Sequence, residues 1–491
     1  MKTPFLPGLR AQVAPMGSRS TPAVHPCRQA TLGQIEARLG RCVPAALLQR
    51  QAGKEFSRER IYTLPRTFWC WIWQIFQANT SCREVVRQVQ ALFTLREAGR
   101  VGADTAGYCL ARGKLGLAWL EEVFASSVAS CQKSAAPRGL LQGRPLRAVD
   151  GSGSRLPDTP RNREAYPPNH KVSGAGFPFL RFTTLFCLAS GAILARALGS
   201  LRSQERQHLL SFRAALHKGD ILLGDRAFGC FVFLAVLQSW GVDLLARVAT
   251  LNRRVDYRRA GKKLGPQDAL FTWKKGRGSK LLPAEEWAAL PEEITVRIIR
   301  HRVAQKGFRT KEVVLVTTLL DPAKYPREEI LEAYLLRWRM EMCLDDIKTS
   351  LGMEMLTCRS PEMVEKELLM FLIAHNFVRW LMLQAAEQNA PALARISFKG
   401  TLDAFRQWSH ALAQLGPRAR SQRQRDKLWR RLLETLRQDP VPERPGRREP
   451  RAVKNRPKYD WLNKPRGSYQ ERPSRNERRR ISRAKKRASL N

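Results

Sequence analysis

The spacing of apolar residues changes period twice along this chain, and those changes divide it. From Thr31 to Ser134 apolar residues recur at three and four positions, as in Phe68–Phe76 and Val85–Phe93, which predicts helices. Between Ser81 and Leu117 two amphipathic pieces flank a break at Gly99-Arg-Val-Gly-Ala-Asp104, and Asp104 is placed to cap the second piece, which carries Arg112 and Lys114. A helix-turn-helix that reads DNA has this layout, and so has any helical hairpin.

At Leu146 the period becomes strand-like. Pro145-Leu-Arg-Ala-Val149-Asp150 predicts a short buried strand that ends on a carboxylate. Phe179–Ala189 and Ala192–Leu198 predict two strands joined as a hairpin at Ser190-Gly191. After a polar helix from Ser203 to His217, Gly219-Asp-Ile-Leu-Leu-Gly224-Asp225-Arg226 repeats the earlier theme of a buried strand ending on an aspartate. A helix, Phe231–Trp240, and a strand, Val242–Val248, come next. From Thr250 to about Lys311 the order fades into basic, Gly-containing sequence with short β-prone runs such as Ile294–Ile299, which reads as an insertion. Val313–Leu320 is again a buried strand. Pro326 then opens a helix expected to run to Lys348, with Glu328 and Glu329 in the first turn, where they favour its dipole. The most apolar stretch, Leu368–Leu383, is interrupted by His375, Asn376 and Arg379, so it reads as a buried core helix and not a membrane span.

The helix after Pro326 carries the densest chemistry. At about 100° per residue, Tyr334, Arg337, Glu341 and Lys348 share one stripe, opposite an apolar back of Leu336, Met340, Cys343 and Ile347. Mixed stripes of this kind are most often solvated faces or i,i+4 ion pairs. A carboxylate between cations can also hold a metal ion beside a phosphate. Asp345 and Asp346, on the same helix, read as ordinary acids.

Charge favours the second reading. The chain has 86 Lys plus Arg against 43 Asp plus Glu, a net charge of +43. About +13 belongs to residues 441–491, which leaves about +30 on the body, so the polyanion-binding surface extends beyond a basic tail. Nucleic acid is the expected partner, with an anionic membrane a weak second. The ten cysteines are scattered, with no paired spacing suited to zinc, and read as reduced thiols, mostly buried, in a cytoplasmic protein. The N-terminus has no sustained apolar core for a secretory signal.

Three carboxylates now form a set: Asp150 and Asp225 past two apolar strands, and Glu341 on a helix that follows a third. In a sheet with parallel strands and helical crossovers such ends gather at one edge. Singly each aspartate has a plain alternative, since Asp150 could cap a turn and Asp225 could pair with Arg226. Together, in so basic a chain, they suit magnesium, which prefers hard oxygen ligands. Two such ions can activate a nucleophile and stabilise the departing oxygen of a phosphodiester.

Tyr334-x2-Arg337-x3-Glu341-x6-Lys348 resembles the Tyr-Arg-Glu-Lys signature of the insertion-sequence-four family of bacterial DDE transposases. Val149-Asp150-Gly151 and Asp225-Arg226 look like the family's two aspartate motifs, and similarity runs through Leu351–Val364 to Asn376 and into the tail, Pro445–Arg466. The resemblance implies a ribonuclease-H-like α/β core, a mixed five-stranded sheet with flanking helices, and a β-rich insertion. It implies that Asp150, Asp225 and Glu341 hold magnesium (manganese as substitute), and that Tyr334, Arg337, Lys348 and, more weakly, Arg226 contact DNA phosphates. Family members stack an insertion tryptophan on a base near the element end; Trp273 and Trp287 are the candidates here, or plain packing residues. The implied activity is cut-and-paste transposition: water cuts one strand at the inverted repeats, the 3′-hydroxyl forms and later leaves a hairpin, and the freed ends attack target DNA. A homodimer would join two ends, in the cytoplasm at the nucleoid. The lack of a GxxxxGK[ST] run agrees with phosphodiester exchange that needs no ATP. A DNA-binding protein or a structure-specific nuclease on the same scaffold, without strand transfer, is the alternative. The expected organisation is a loose arm (1–30), a helical DNA-binding region (31–140), a catalytic domain (141–249 and 312–386), the insertion (250–311), C-terminal helices (387–440) and a basic tail (441–491).

Overall fold

Pairing along the middle of the chain builds one mixed sheet. Strand β1 (Leu146–Arg155) pairs antiparallel with β2 (Phe179–Cys187), and β2 with β3 (Ile193–Ser200). Strand β4 (Ile221–Gly229) runs parallel to β1, and β5 (Asp243–Val248) parallel to β4. The computed structural model describes residues 39–49, 56, 61–95, 99–135, 141–168, 176–200, 205–248, 255–302, 312–387, 390–413, 419–438 and 440–441. The expected arm, most of the basic tail and both ends of the insertion lie outside these residues.

The expected five strands are corrected to nine among the described residues. The outer edge of β5 offers unpaired backbone groups, and a further strand takes them. The insertion's strands β6 (Lys262–Gly265), β7 (Asp268–Lys274) and β8 (Glu293–Arg302) form an antiparallel meander, and β9 (Glu312–Thr317) joins it to β5. The order is β3-β2-β1-β4-β5-β9-β8-β7-β6. Within the meander, Arg297 and Asp268 form a buried two-bonded ion pair of 2.8 and 2.5 Å, and Arg297 also donates to the Tyr325 carbonyl at 2.7 Å.

Alternation along the strands gives the sheet two dry faces. Leu146, Ala148, Ile221 and Leu223 belong to a core shared with the helix Pro361–Ala386. Val149, Leu222 and Leu244 belong to the other, covered by the helix Phe231–Ser239.

Helix Pro361–Ala386 is long and apolar enough to cross a membrane, yet 89% of its most apolar window is buried inside the protein. The three polar residues that interrupt it have specific partners. Asn376 accepts from Ile193 N–H at 2.9 Å and donates to Ile193 O at 3.1 Å. His375 Nε2 lies 3.0 Å from Gly191 O, and Arg379 Nε donates to Ser190 O at 3.0 Å. All three grip the turn of the β2–β3 hairpin, where Gly191 takes φ +70° and a Cβ would collide with the Arg379 guanidinium.

The N-terminal helices Leu64–Phe76 and Leu117–Ser134 pack on that same core helix. The expected helical pair is Cys82–Leu95 and Ala106–Lys114; the N-cap of the second helix is Thr105, one residue past the expected Asp104, whose carboxylate accepts from Ala106 N–H at 2.9 Å. Arg112, however, points inward. Its guanidinium donates to Cys82 and Cys358 at 3.2 Å each and lies 4.0 Å from the centre of the Trp71 ring. Of the two cations on this helix only Lys114 is exposed.

Burial holds His375 neutral, with its pKa lowered to about 3 and the nearby Arg379 charge acting in the same direction. A folded pKa below the unfolded value means that the unfolded chain binds the proton first as pH falls. The stability tied to His375 is therefore complete above about pH 6.5 and declines below it. His375→Gln, which can still donate to Gly191 O, should flatten the fall of the urea midpoint between about pH 6.5 and pH 4.5; an unchanged slope would place the acid sensitivity elsewhere.

Candidate active site

The ladder between β1 and β4 is short: Leu146, Arg147 and Ala148 opposite Ile221, Leu222 and Leu223. The expectation that β1 stops at Asp150 is corrected, because pairing with β2 carries it on to Arg155. Asp150 thus stands two residues past the last parallel pair, inside a strand that has parted from β4. Asp225 stands two residues past Leu223 on the neighbouring strand. Both positions continue the face that carries Ala148 and Leu223, the face covered by Pro361–Ala386.

Strand β4 bulges at this point. Its register with β5 holds through Gly224–Ala246 and resumes only at Gly229–Val248. The extra residues turn Asp225 out of the ladder, where its Oδ1 accepts from Ala227 N–H at 2.7 Å. Gly229 is required where the strands close again, since a Cβ there would lie 1.9 Å from Arg247 O.

The helix expected from Pro326 to Lys348 is three pieces wound at different pitch. Arg327–Leu335 is α-helical, and Leu336 and Arg337 tighten into a turn, with Arg337 N–H bonded to Tyr334 O and Met340 N–H to Arg337 O at 3.1 Å each. Trp338–Asp345 is again α-helical, and Asp346–Ser350 loosens into a π-turn. Over-winding followed by under-winding is common where helices carry function. Met340, Cys343 and Ile347 form the dry back as expected, and Leu336 is half-buried. Tyr334, assigned by spacing to the polar front, is also buried.

The charges around Asp150 show which groups share the site. Burial raises its carboxyl to about 6; the Gly151 N–H bond and Arg337 pull it down, while Glu341 and Asp225 push it up. Asp150 therefore feels both other carboxylates and one cation of the signature. Arg337 donates to Glu341 at 3.0 Å, and Glu341, Tyr334 and Asp150 outweigh burial in keeping its guanidinium charged. Burial raises the Tyr334 phenol, with Arg337 and Arg247 opposing and Asp225 adding to the rise; its hydroxyl oxygen makes no well-formed hydrogen bond.

Lys348 has Glu354 and Asp345 as its charged neighbours. In the π-turn it is half-buried, which lowers its pKa against the pull of Glu354 and Asp345. Arg226 is exposed beside Asp225. Two contributors escaped the sequence reading. Arg247, next to last in β5, lies near enough to Tyr334 to lower its phenol pKa, and a basic residue near the end of an apolar strand was its only signal. Asp346 is no ordinary acid: burial raises it to about 7, with Arg379 opposing.

The three carboxylates interact, but no trio of acids, histidines or cysteines among the described residues stands close enough to grip a metal as it is. Arg337 draws Glu341 to itself. Three hard-oxygen donors, two of which raise the pKa of Asp150, nonetheless suit a divalent cation, which would relieve the repulsion at Asp150.

Residues 141–377 match the family model described as "Transposase DDE domain". The chain is 27% identical, over 344 residues, to transposase InsG for insertion sequence element IS4 of Escherichia coli (strain K12), spanning 69% of this chain and 74% of that one. Among solved structures it is similar to a piggyBac transposase in a synaptic complex with hairpin DNA, at 10% identity and a TM-score of 0.39, with 86% of each chain covered.

A carboxyl raised in the folded state costs stability once it must ionise. The folded chain keeps a proton on Asp150 between about pH 4 and 6 that the unfolded chain has released, so this cost grows through that window and is complete above it. In buffer free of divalent ions, Asp150→Asn should stabilise the protein at about pH 7.5, on the order of 1–2 kcal/mol by urea unfolding. The gain should shrink toward about pH 4. A variant less stable at the higher pH would mean that attraction to Arg337 outweighs burial.

Proposed function

Since the chain belongs to the DDE transposases of the insertion-sequence-four type, we propose that it cuts DNA at the terminal inverted repeats of an insertion sequence and joins the freed ends to target DNA. One observation carries this reading. Two adjacent parallel strands place aspartates at matching positions on one face, and the signature helix brings Glu341 and Arg337 within electrostatic reach of them.

Asp150, Asp225 and Glu341 would hold magnesium, or manganese in its place. When bound, the ions make the attacking oxygen more nucleophilic and offset the charge on the departing one. For Glu341 to join the aspartates it must exchange Arg337 for the cation. The released guanidinium is then placed to donate to a phosphate oxygen, as a planar fork does well. Tyr334, whose buried hydroxyl has no well-formed bond, would donate to the same phosphate. Lys348 and Arg226 are the further phosphate contacts of the proposal.

The chemistry then needs only exchange of phosphodiesters. Water cleaves one strand, and the new 3′-hydroxyl attacks the opposite strand to leave a hairpin. A second water reopens it, and the freed 3′-hydroxyls attack the target. Two element ends call for two copies of the chain, so a homodimer on double-stranded DNA is part of the proposal, acting in the cytoplasm at the nucleoid. The ribonuclease-H-like reading of the fold rests on the β3-β2-β1-β4-β5 portion, an antiparallel meander followed by two parallel strands with helices on both faces.

Labelled end DNA incubated with protein and magnesium should be nicked, and with target DNA should give a product joining both. Nicking without joining would favour a structure-specific nuclease; tight binding without nicking would sink the enzyme reading. Glu341→Gln should abolish cleavage while end binding stays within a few-fold of wild type. Lys348→Ala should flatten the dependence of log affinity on log salt by about one unit; an unaltered slope would return Lys348 to a local role with Glu354 and Asp345.

A further inference from the structure

Behind the signature helix the fold leaves a space that it does not fill. The helix Trp338–Asp345 with its π-turn, the turn of the β2–β3 hairpin and the helix Pro361–Ala386 enclose a cavity of about 250 Å³. The helices Ala390–Arg395 and Phe398–Ala413 close it from below. Close-packed interiors hold few voids larger than a water, and a dry one of about 150 Å³ already admits a benzene ring. Met340, Met382 and Phe398 give this cavity apolar walls, and Met342, which is 62% exposed, lies where it reaches the surface.

The charges on its wall are cationic in sum. Arg339 and Arg379 both line it, and Asp346 is the one carboxylate that does. Burial and the neighbouring Arg379 charge both weaken the Arg339 cation, and no carboxylate is among the groups that support it. Arg379 donates through Nε to Ser190 O and also neighbours Asp346, whose carboxyl burial pushes up to about 7. Two guanidiniums against one carboxyl leave at least one positive charge unmatched. Like charges gathered at the edge of an apolar space are relieved by an anion between them.

Walls and charge together select the occupant. A neutral hydrocarbon would cover the walls and leave the cations unpaired. A phosphate would meet the cations, leave the walls bare and set a second negative charge against Asp346. We propose that this cavity binds a small monocarboxylate with an apolar body, about the size of benzoate, its carboxylate between Arg339 and Arg379 and its body against Met340, Met382 and Phe398. Guanidinium forks match a carboxylate in shape as well as charge. Met340 stands on the dry back of the helix that presents Glu341, so an occupant braces that helix from behind. The site needs no DNA and shares no residue with the carboxylates of the proposed function.

The test titrates the full chain, free of DNA and divalent ions, with sodium benzoate in a calorimeter. Wild type should bind benzoate saturably and one to one, with benzyl alcohol, acetate and inorganic phosphate each weaker by about ten-fold or more. Arg339→Gln should weaken benzoate by about ten-fold or more, with its urea midpoint near that of wild type. Asp346→Asn, which removes the opposing carboxylate, should tighten it a few-fold. Ala394→Trp, at the exposed rim of the cavity, should exclude benzoate without altering any charge, and it decides the matter if Arg339→Gln does not fold. Absence of saturable binding by wild type, or binding that survives Ala394→Trp, overturns the site. Benzyl alcohol as tight as benzoate would leave a dry cavity without anion recognition, and acetate or phosphate as tight would leave a bare cationic patch; either overturns the ligand class.

Discussion

Three residue pairs between β1 and β4 set the geometry on which the site depends. Because the strands are parallel and in register from Leu146–Ile221 to Ala148–Leu223, each aspartate follows the last pair by two residues, on the face that carries Ala148 and Leu223. A slip of one residue would send either aspartate to the opposite face, into the core with Val149 and Leu222. The hydrophobic pattern forbids that slip, since it would also carry Ala148 or Leu223 out of the first core. Packing chosen for burial thereby fixes the spacing of two charges that take no part in it.

Charge then governs the third member. Glu341 and Asp225 each repel Asp150, and Arg337 offsets that repulsion while pairing with Glu341 at 3.0 Å. In the absence of a cation the guanidinium serves as its stand-in. In the proposed function the same two side chains would leave this ion pair for a metal and a phosphate, so the pair is the cation-free half of that proposal. This economy explains why acids collect at one point in a chain of net charge +43.

Much of this was legible in the residues. Apolar runs that end on Asp150 and Asp225 announced strands with acids near their ends, and the period of Met340, Cys343 and Ile347 announced a helix with a dry back. What could not be read was set by partners distant in sequence. Gly151–Arg155 looks like a turn, yet β2 supplies backbone hydrogen bonds that keep it extended. The insertion looks separate because nothing in Glu312–Thr317 says that its partner is the edge of β5. Arg112 looks like a DNA contact because its receptors, Cys358 and Trp71, are remote along the chain. The change of pitch between Leu336 and Ser350 leaves no mark in hydrophobic spacing, and it alters which side chains share a face.

The three polar residues of helix Pro361–Ala386 have a consequence of alignment. A helix coated only with Leu, Phe and Met could rotate or slide by a fraction of a turn against a flat sheet at little energetic penalty. His375, Asn376 and Arg379 act as the teeth of a key: they engage the Ser190–Ile193 turn at fixed points and leave the shaft one rotation and one height. Arg379 also neighbours Asp346 of the signature helix, so the keyed shaft and the helix that carries Glu341 share a common datum. Tolerances at the site are in this way inherited from a hairpin on the far side of β1.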